Sequence, residues 1–343
     1  MTVILGLESS CDDSAAALVT GDRRILAQRV VGQNSAHQPY GGVVPEIAAR
    51  AHVEILPGLI EKVLDEAKMS IHDVDAIAAT AGPGLIGGVM VALLAGKGLA
   101  LAAGKPLIAV NHLEGHALSP RLADPDLDFP YLLLLVSGGH CQILEVRGVG
   151  DYRRLATTID DAAGEAFDKA AKLLGLPYPG GPAIEELARG GDSNAVPLPR
   201  PLVGSGEMHF SFAGLKSAVQ RIVASGDFSP EDVAASFQQA VVDCLVDRTR
   251  LALETSDAPA LVVAGGVAAN QAIRSALARL ASETGRKFSV PPHWLCTDNA
   301  AMIAWVGAER LGAGEQDPLD VPARARWPLD ERAEKVRGAG VKA

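Results

Sequence analysis

Aromatic side chains are scarce in this chain, 4% of its residues, and none of its four cysteines belongs to a C-x-x-C pair. Cys11, Cys141, Cys244 and Cys296 are scattered instead, which argues against a disulfide framework and fits reduced thiols in the cytoplasm. No basic segment precedes the first apolar run, so no signal peptide is expected. Gly82 to Gly96 is uncharged, but it is short, glycine-rich and followed by Lys97, which reads as a buried helix and not as a membrane segment. The Walker lysine motif is absent, which excludes a P-loop enzyme. Positive charge is in deficit: 31 Lys and Arg against 41 Asp and Glu leave a net charge of −10. That is a poor footprint for gripping nucleic acid unaided, so a nucleic-acid substrate requires a basic partner or a local patch. Arg324, Arg326, Arg332, Lys335 and Arg337 form the candidate patch, and a solvated tail after Asp330 is the alternative.

What the chain does have is apolar residues, 48%, and 36 glycines, the composition of a compact α/β protein with many tight turns. Its 343 residues predict about two domains. Thr2 to Leu7 and Ala15 to Val19 read as strands around a polar turn, Glu8 to Ser14, and Arg24 to Val31 adds a third strand. Val43 to Lys68 reads as helix, kinked or divided at Pro57. Val74 to Thr80 is a strand, followed by a helix to Ala103, and Pro106 to Val110 is another strand. The pattern then restarts: strand Tyr131 to Val136, a Ser-Gly-Gly-His turn, and strand Cys141 to Val146. Helical periodicity follows at Ala163 to Leu174, Pro182 to Arg189, Ala213 to Ala224 and Pro230 to Glu254. The strand Ala260 to Ala264 precedes a further helix, and Asp298 opens the last one, to about Leu311. This repeated order predicts duplicated lobes with a cleft between them: a first at 1–128, a second at 129–330 and a tail at 331–343. Gly190 to Met208, with three prolines, reads as a loose insert.

Chemistry concentrates after the strand ending at Val110. In Asn111-His112-Leu113-Glu114-Gly115-His116 a helix places His112 and His116 at i and i+4, on one face, as two ligands of one metal must be. A zinc protease is disfavoured. Its Glu directly follows the first His, whereas Glu114 lies two residues on and points about 200° away at 100° per residue. Asp298 is the candidate third ligand, if the lobes close, and equally a helix N-cap.

Four glycine-rich turns can offer backbone N–H groups to phosphate: Gly82-Pro83-Gly84, Ser137-Gly138-Gly139, Gly180-Gly181-Pro182 and Gly265-Gly266. Asp12 and Asp13, in the first turn, either accept turn hydrogen bonds or orient a nucleophile. Asp168 fits a ribose hydroxyl or an i,i+4 pair with Lys172, and Asn270 fits an N-cap or a nucleotide contact.

Taken together, the motifs resemble one family over nearly the whole chain, the TsaD (formerly Gcp) proteins of the tRNA threonylcarbamoyladenosine pathway. They are Glu8-Ser-Ser-Cys-Asp12, Val44-Pro-Glu-Ile-Ala-Ala-Arg-Ala-His52, Ala81-Gly-Pro-Gly-Leu85, Asn111 to His116, Val136-Ser-Gly-Gly-His140 and Asp160 to Lys169. Tyr178 to Pro182, Ser211 to Lys216, Gly265 to Asn270 and Thr297 to Ala301 continue the match in order. The resemblance implies an α/β, actin-like and sugar-kinase-like (ASKHA) fold of two RNase H-like lobes. It implies a cytoplasmic transferase moving threonylcarbamoyl from threonylcarbamoyl-AMP to the N6 amine of the adenosine just 3′ of the anticodon, in tRNAs reading ANN codons.

Carried over residue by residue, it implies Fe2+, or Zn2+, at His112, His116 and Asp298. It further implies ATP, ADP or the adenylate at Leu135, Val136, Ser137, Gly138, Gly139, Asp168, Gly181, Glu185 and Asn270. Asp12 is the candidate catalytic residue, orienting the adenine amine or taking its proton. Asp13 is in doubt, because the family's first turn reads Asp-Glu-Thr where this chain has Asp12-Asp13-Ser14. Implied partners are a TsaB-like paralogue, with a dimer face around Ile55 to Leu64, a TsaE-like ATPase, a TsaC-like adenylate synthase and tRNA. The rival expectations are a small-molecule kinase of the same superfamily, the family's older protease label, and an ATP-binding scaffold without catalysis.

Overall fold

The apolar runs form the strands, and their pairing places the polar turns. The computed structural model describes residues 1–40 and 42–336, so Arg337 lies outside the described residues. The chain divides into two compact units, Met1–Asp126 with Pro291–Glu331, and Leu127–Val290 with Arg332–Ala343. This corrects the division at 128 and 330: the stretch Pro291–Glu331, expected in the second lobe, returns to the first. The reason is packing, because the first sheet takes its covering helix from that stretch.

In the first unit, β1 (Val3–Glu8), β2 (Asp13–Thr20), β3 (Ile25–Gly32), β4 (Ala76–Gly82) and β5 (Leu107–Asn111) make one sheet in the order β3-β2-β1-β4-β5. β1 runs antiparallel to β2 and parallel to β4, which is parallel to β5. β1 and β4 are buried along their whole length, so they read as continuous apolar runs without alternation. Helix Ala300–Gly312 crosses the sheet at its closest approach. A Cβ on Gly6 would meet the carbonyl oxygen of Ala300 and come within 2.6 Å of the Ala304 nitrogen, and one on Gly307 would come within 2.6 Å of Ala78 Cβ. Helix Pro45–Ala67 buries Leu56, Leu59, Ile60 and Val63. It runs unbroken through Pro57, and the residue whose carbonyl loses its donor there, Val53, is 60% exposed and open to water. Helix Ile86–Ala103 is long and apolar enough to cross a membrane by length and composition, with 33% of it buried.

The second unit repeats the order. β6 (Tyr131–Val136), β7 (Cys141–Gly148), β8 (Asp151–Thr157), β9 (Ala260–Ala264) and β10 (Lys287–Ser289) are arranged β10-β9-β6-β7-β8, with β6 antiparallel to β7 and parallel to β9. β8 and β10 escaped the sequence reading. Both are edge strands, one carrying Asp151, Arg153 and Arg154 and the other only three residues long, and charge on an edge hides the period of two. The helices Ala163–Leu173, Gly180–Ala188, Ala213–Ser225, Pro230–Glu254 and Gln271–Glu283 complete this unit.

Candidate functional site

In the first unit, β1, β4 and β5 end side by side, and their C-terminal ends carry Glu8, Gly82 and Asn111. Asn111 caps the helix that follows, its side chain accepting from the Leu113 N–H at 2.9 Å. That cap starts the helix at His112 and stacks His116 one turn above it, with ring centroids 4.8 Å apart. Asp298 completes the group. Its Oδ1 lies 3.1 Å from His116 Nε2 and 3.5 Å from His112 Nε2, and the three ligand atoms all fall within 4.8 Å of one another.

Asp298 is not the N-cap that its place in the sequence allows. Asn299 caps helix Ala300–Gly312, accepting from the Met302 N–H at 2.9 Å. Capping by its neighbour leaves the Asp298 carboxylate to the histidines, and it reaches them within one unit, without the lobe closure the sequence reading invoked.

One member of the cluster was missed. Glu8 is fully buried; its Oε2 lies 2.9 Å from His112 Nδ1 and accepts from Thr80 Oγ1 at 2.6 Å. The only signal was a carboxylate closing an otherwise apolar strand, and the sequence reading assigned it to the polar turn. Around it the electrostatics are lopsided. Burial raises the Glu8 carboxyl, but the His112 charge and hydrogen bond outweigh it and hold the group below its ordinary value. Burial likewise opposes ionisation of Asp298, and the two histidines hold it well below the usual carboxylate range. His112 is raised well above an ordinary histidine, the charges of Glu8 and Asp298 overcoming its burial.

The turn carboxylates move the other way. Burial, then the Asp298 charge, push Asp13 up to about 7, and burial raises Asp12. Four carboxylates thus press on two imidazoles, a donor set with more negative charge than the protein itself offsets. Two imidazole nitrogens and one carboxylate oxygen, pointed at one place and ringed by further carboxylates, fit a divalent ion with an open position. Cys11, in the same turn, has its thiol pushed up by burial and the nearby carboxylates, which removes it as a nucleophile.

The second candidate group lies in the second unit, beyond the ends of β6 and β9. The glycines of its turns divide into two kinds. A Cβ on Gly164 would sit 2.6 Å from the Ser137 carbonyl oxygen, one on Gly180 would sit 2.6 Å from Asp168 Cα, and one on Gly265 would strike Val136. These glycines hold the turns tightly against their supports. Gly138, Gly139, Gly181 and Gly266 have nothing within 4 Å of a Cβ and face open space. By contrast, the glycines of Gly82-Pro83-Gly84 press on Arg324 and Ser10, so that turn serves packing and is no phosphate cradle.

Asp168 accepts from the Gly180 N–H at 2.8 Å and so fixes the start of the turn holding Gly181. Glu185 accepts from the Gln271 N–H at 2.8 Å, beside Asn270, which caps the next helix by accepting from Ile273 N–H at 3.0 Å. Leu135 and Val136 are fully buried inside β6, so of the stretch Leu135 to Gly139 only Ser137, Gly138 and Gly139 open onto the turn. The basic residues do not form one patch of one unit: Arg324 and Arg326 belong to the first, Arg332 and Lys335 to the second, and Arg324 already pairs with Glu331 at 3.3 Å.

The comparisons with known proteins give the family and the fold. The model of the TsaD family, described as tRNA N6-adenosine threonylcarbamoyltransferase, matches residues 24–305. A relative from Sphingopyxis alaskensis bearing that same description is 75% identical over 344 positions, covering 100% of both chains. Another, from Novosphingobium aromaticivorans, is 68% identical over 350 positions, again with 100% of both covered. Among solved structures, component A of the (R)-2-hydroxyglutaryl-CoA dehydratase of Acidaminococcus fermentans superposes with a TM-score of 0.55 at 17% identity, covering 91% of this chain and 100% of that one. That likeness shows the fold alone, the actin-like and sugar-kinase-like one.

Proposed function

The chain belongs to the TsaD family of tRNA N6-adenosine threonylcarbamoyltransferases, and from that premise we propose that it moves threonylcarbamoyl from threonylcarbamoyl-AMP to the N6 amine of the adenosine 3′ of the anticodon, with a metal ion at His112, His116 and Asp298. The observation that carries this reading is the convergence of His112, His116 and Asp298 on one point. A divalent ion there, Fe2+ or Zn2+, would supply a Lewis acid. Ser137, Gly138, Gly139 and Gly181 offer backbone N–H groups to its phosphate, and Asp168, Glu185 and Asn270 are the polar groups for its sugar and base. Asp12 is the acceptor for the proton of the attacking amine. Burial raises its carboxyl, which makes it a better base near neutrality than an exposed aspartate.

Label from threonine, followed into tRNA in the presence of bicarbonate, ATP and the partner proteins, tests the reading. Incorporation that depends on this chain and stops on chelation supports it. Incorporation indifferent to chelation removes the metal, and ATP-dependent phosphorylation of a small molecule in its place favours the kinase reading. Gly138→Ala is expected to keep the melting temperature, since its Cβ meets nothing within 4 Å, while weakening adenylate binding about tenfold by loss of about 1.4 kcal/mol. Isothermal titration with a non-hydrolysable adenylate checks this.

For the partner face we propose another helix than the Ile55 to Leu64 stretch. Leu56, Leu59 and Ile60 are core residues, whereas Ile86, Met90, Leu94 and Leu101 are 46%, 44%, 56% and 71% exposed on one helix. Their spacings of four, four and seven residues make an apolar stripe, the surface for a TsaB-like paralogue, which with a TsaE-like ATPase and a TsaC-like adenylate synthase helps this acidic chain engage tRNA. Leu94→Glu is expected to cost about 2 kcal/mol of paralogue binding, some thirtyfold, without lowering the melting temperature. Sedimentation of the mixed proteins reads the first and thermal denaturation the second.

A further inference from the structure

We propose that Glu8 is the positioning residue for the His112 ligand: it holds the Nδ1 proton of that imidazole and thereby aims Nε2 at the metal. The inference rests on the metal reading of the His112, His116 and Asp298 group and goes one layer outward from it.

Glu8 has no exposure to water, and every contact it makes serves one orientation. Its Oε1 accepts the Ser10 N–H at 2.5 Å, and its Oε2 accepts the Thr80 hydroxyl at 2.6 Å and faces His112 Nδ1 at 2.9 Å. An ionised carboxylate only accepts hydrogen bonds, so the proton in the last contact belongs to Nδ1. Nε2 is then the nitrogen with a lone pair to give once it has lost its own proton, and it is the one turned to Asp298, at 3.5 Å. The two ligands are supported unequally. His116 Nδ1 is buried with no hydrogen-bond partner among the described residues, so that ring is held only at Nε2, by Asp298, and by packing, whereas the Nδ1 side of His112 is fixed by Glu8 of β1, itself anchored by Thr80 of β4.

Chelated protein titrated with Zn2+ and with Co2+ tests this without any assay of transfer. Glu8→Gln is expected to bind either ion about 10–100-fold more weakly than the wild type. The visible absorption of bound Co2+ should change, and the melting temperature of the metal-free protein should fall far less than that of His112→Ala. Thr80→Val keeps the carboxylate and removes one of its anchors, so it should weaken binding severalfold even if Glu8→Gln does not fold. Wild-type affinity and an unchanged Co2+ spectrum in both variants overturn the proposal. A wild type that takes up no ion, or a His112→Ala protein that binds as tightly, overturns the metal reading itself, and that outcome is read from separate arms.

Discussion

The His112→Ala protein is expected to retain no metal and to lose transfer by on the order of 10³-fold, a loss of about 4 kcal/mol from the several that a Lewis acid supplies. Three protein donors are the usual complement of a catalytic site with an open position, and this group has none to spare. The substitution does a second thing. It strands Glu8, which is fully buried and paired to His112 Nδ1 at 2.9 Å, and removing one partner of such a pair costs about 3–5 kcal/mol. His116→Ala separates the two effects: metal content and transfer should fall as far, while the Glu8–His112 pair survives and stability falls less. Elemental analysis, label incorporation and chemical denaturation give the three readings.

In the metal-free protein the stability difference between wild type and His112→Ala depends on pH in a set direction. His112 lies above its ordinary 6.5, so its contribution is full below that value and is lost as pH rises through the raised one. Glu8 and Asp298 lie below their ordinary 4.5 and 3.8, so their contribution is full above those values and is lost as pH falls through the lowered ones. The difference is therefore largest between about pH 4.5 and 6.5 and shrinks on both sides.

Gly6→Ala should have a large effect for a single methyl group added to the first unit. The site is the middle of β1, where helix Ala300–Gly312 lies directly on the strand, and the added carbon would meet backbone atoms of Ala300 and Ala304. Side chains can rotate away from an intruder, but helix backbone moves only as a body. Overpacking of this kind costs about 3 kcal/mol or more, which lowers the melting temperature of a unit this size by about 6–12 °C. The same displacement shifts Asp298, two residues before the helix, away from the histidines. Metal affinity should therefore fall together with stability, and a variant that melts early yet binds metal with wild-type affinity would contradict the coupling.

The histidine pair was legible because i,i+4 spacing needs only a helix, and strand β5 with Asn111 at its end supplies the start. Asp298 could be named as a ligand, but its role could not be separated from capping, since Asp298 and Asn299 are both competent caps and only the backbone decides between them. Glu8 was hidden by its own strand, because nothing in Val-Ile-Leu-Gly-Leu-Glu says that the last residue turns inward. The glycine turns looked alike in sequence and proved to be of two kinds, for a missing Cβ either makes room for a neighbour or leaves a backbone bare, and the neighbour lies far off in sequence. The two apolar helix faces were hard to tell apart for a related reason. Ile55 to Leu64 is apolar because it is core, and Ile86 to Leu101 is equally apolar but turns part of its stripe to water.

The interrupted course of the first unit sets an order on its making. A ribosome delivers β1 before the helix that covers Gly6, with Leu127–Val290 synthesised in between. The partner of His116 lies 182 residues downstream of it. Until then the nascent first unit exposes one face of its central strand and offers an incoming ion two imidazoles without the third donor. The second unit, whose strands all lie within Leu127–Val290, meets no such wait. A ribosome that stalls before Pro291 leaves a fragment whose first unit lacks both the helix over Gly6 and the third donor, Asp298.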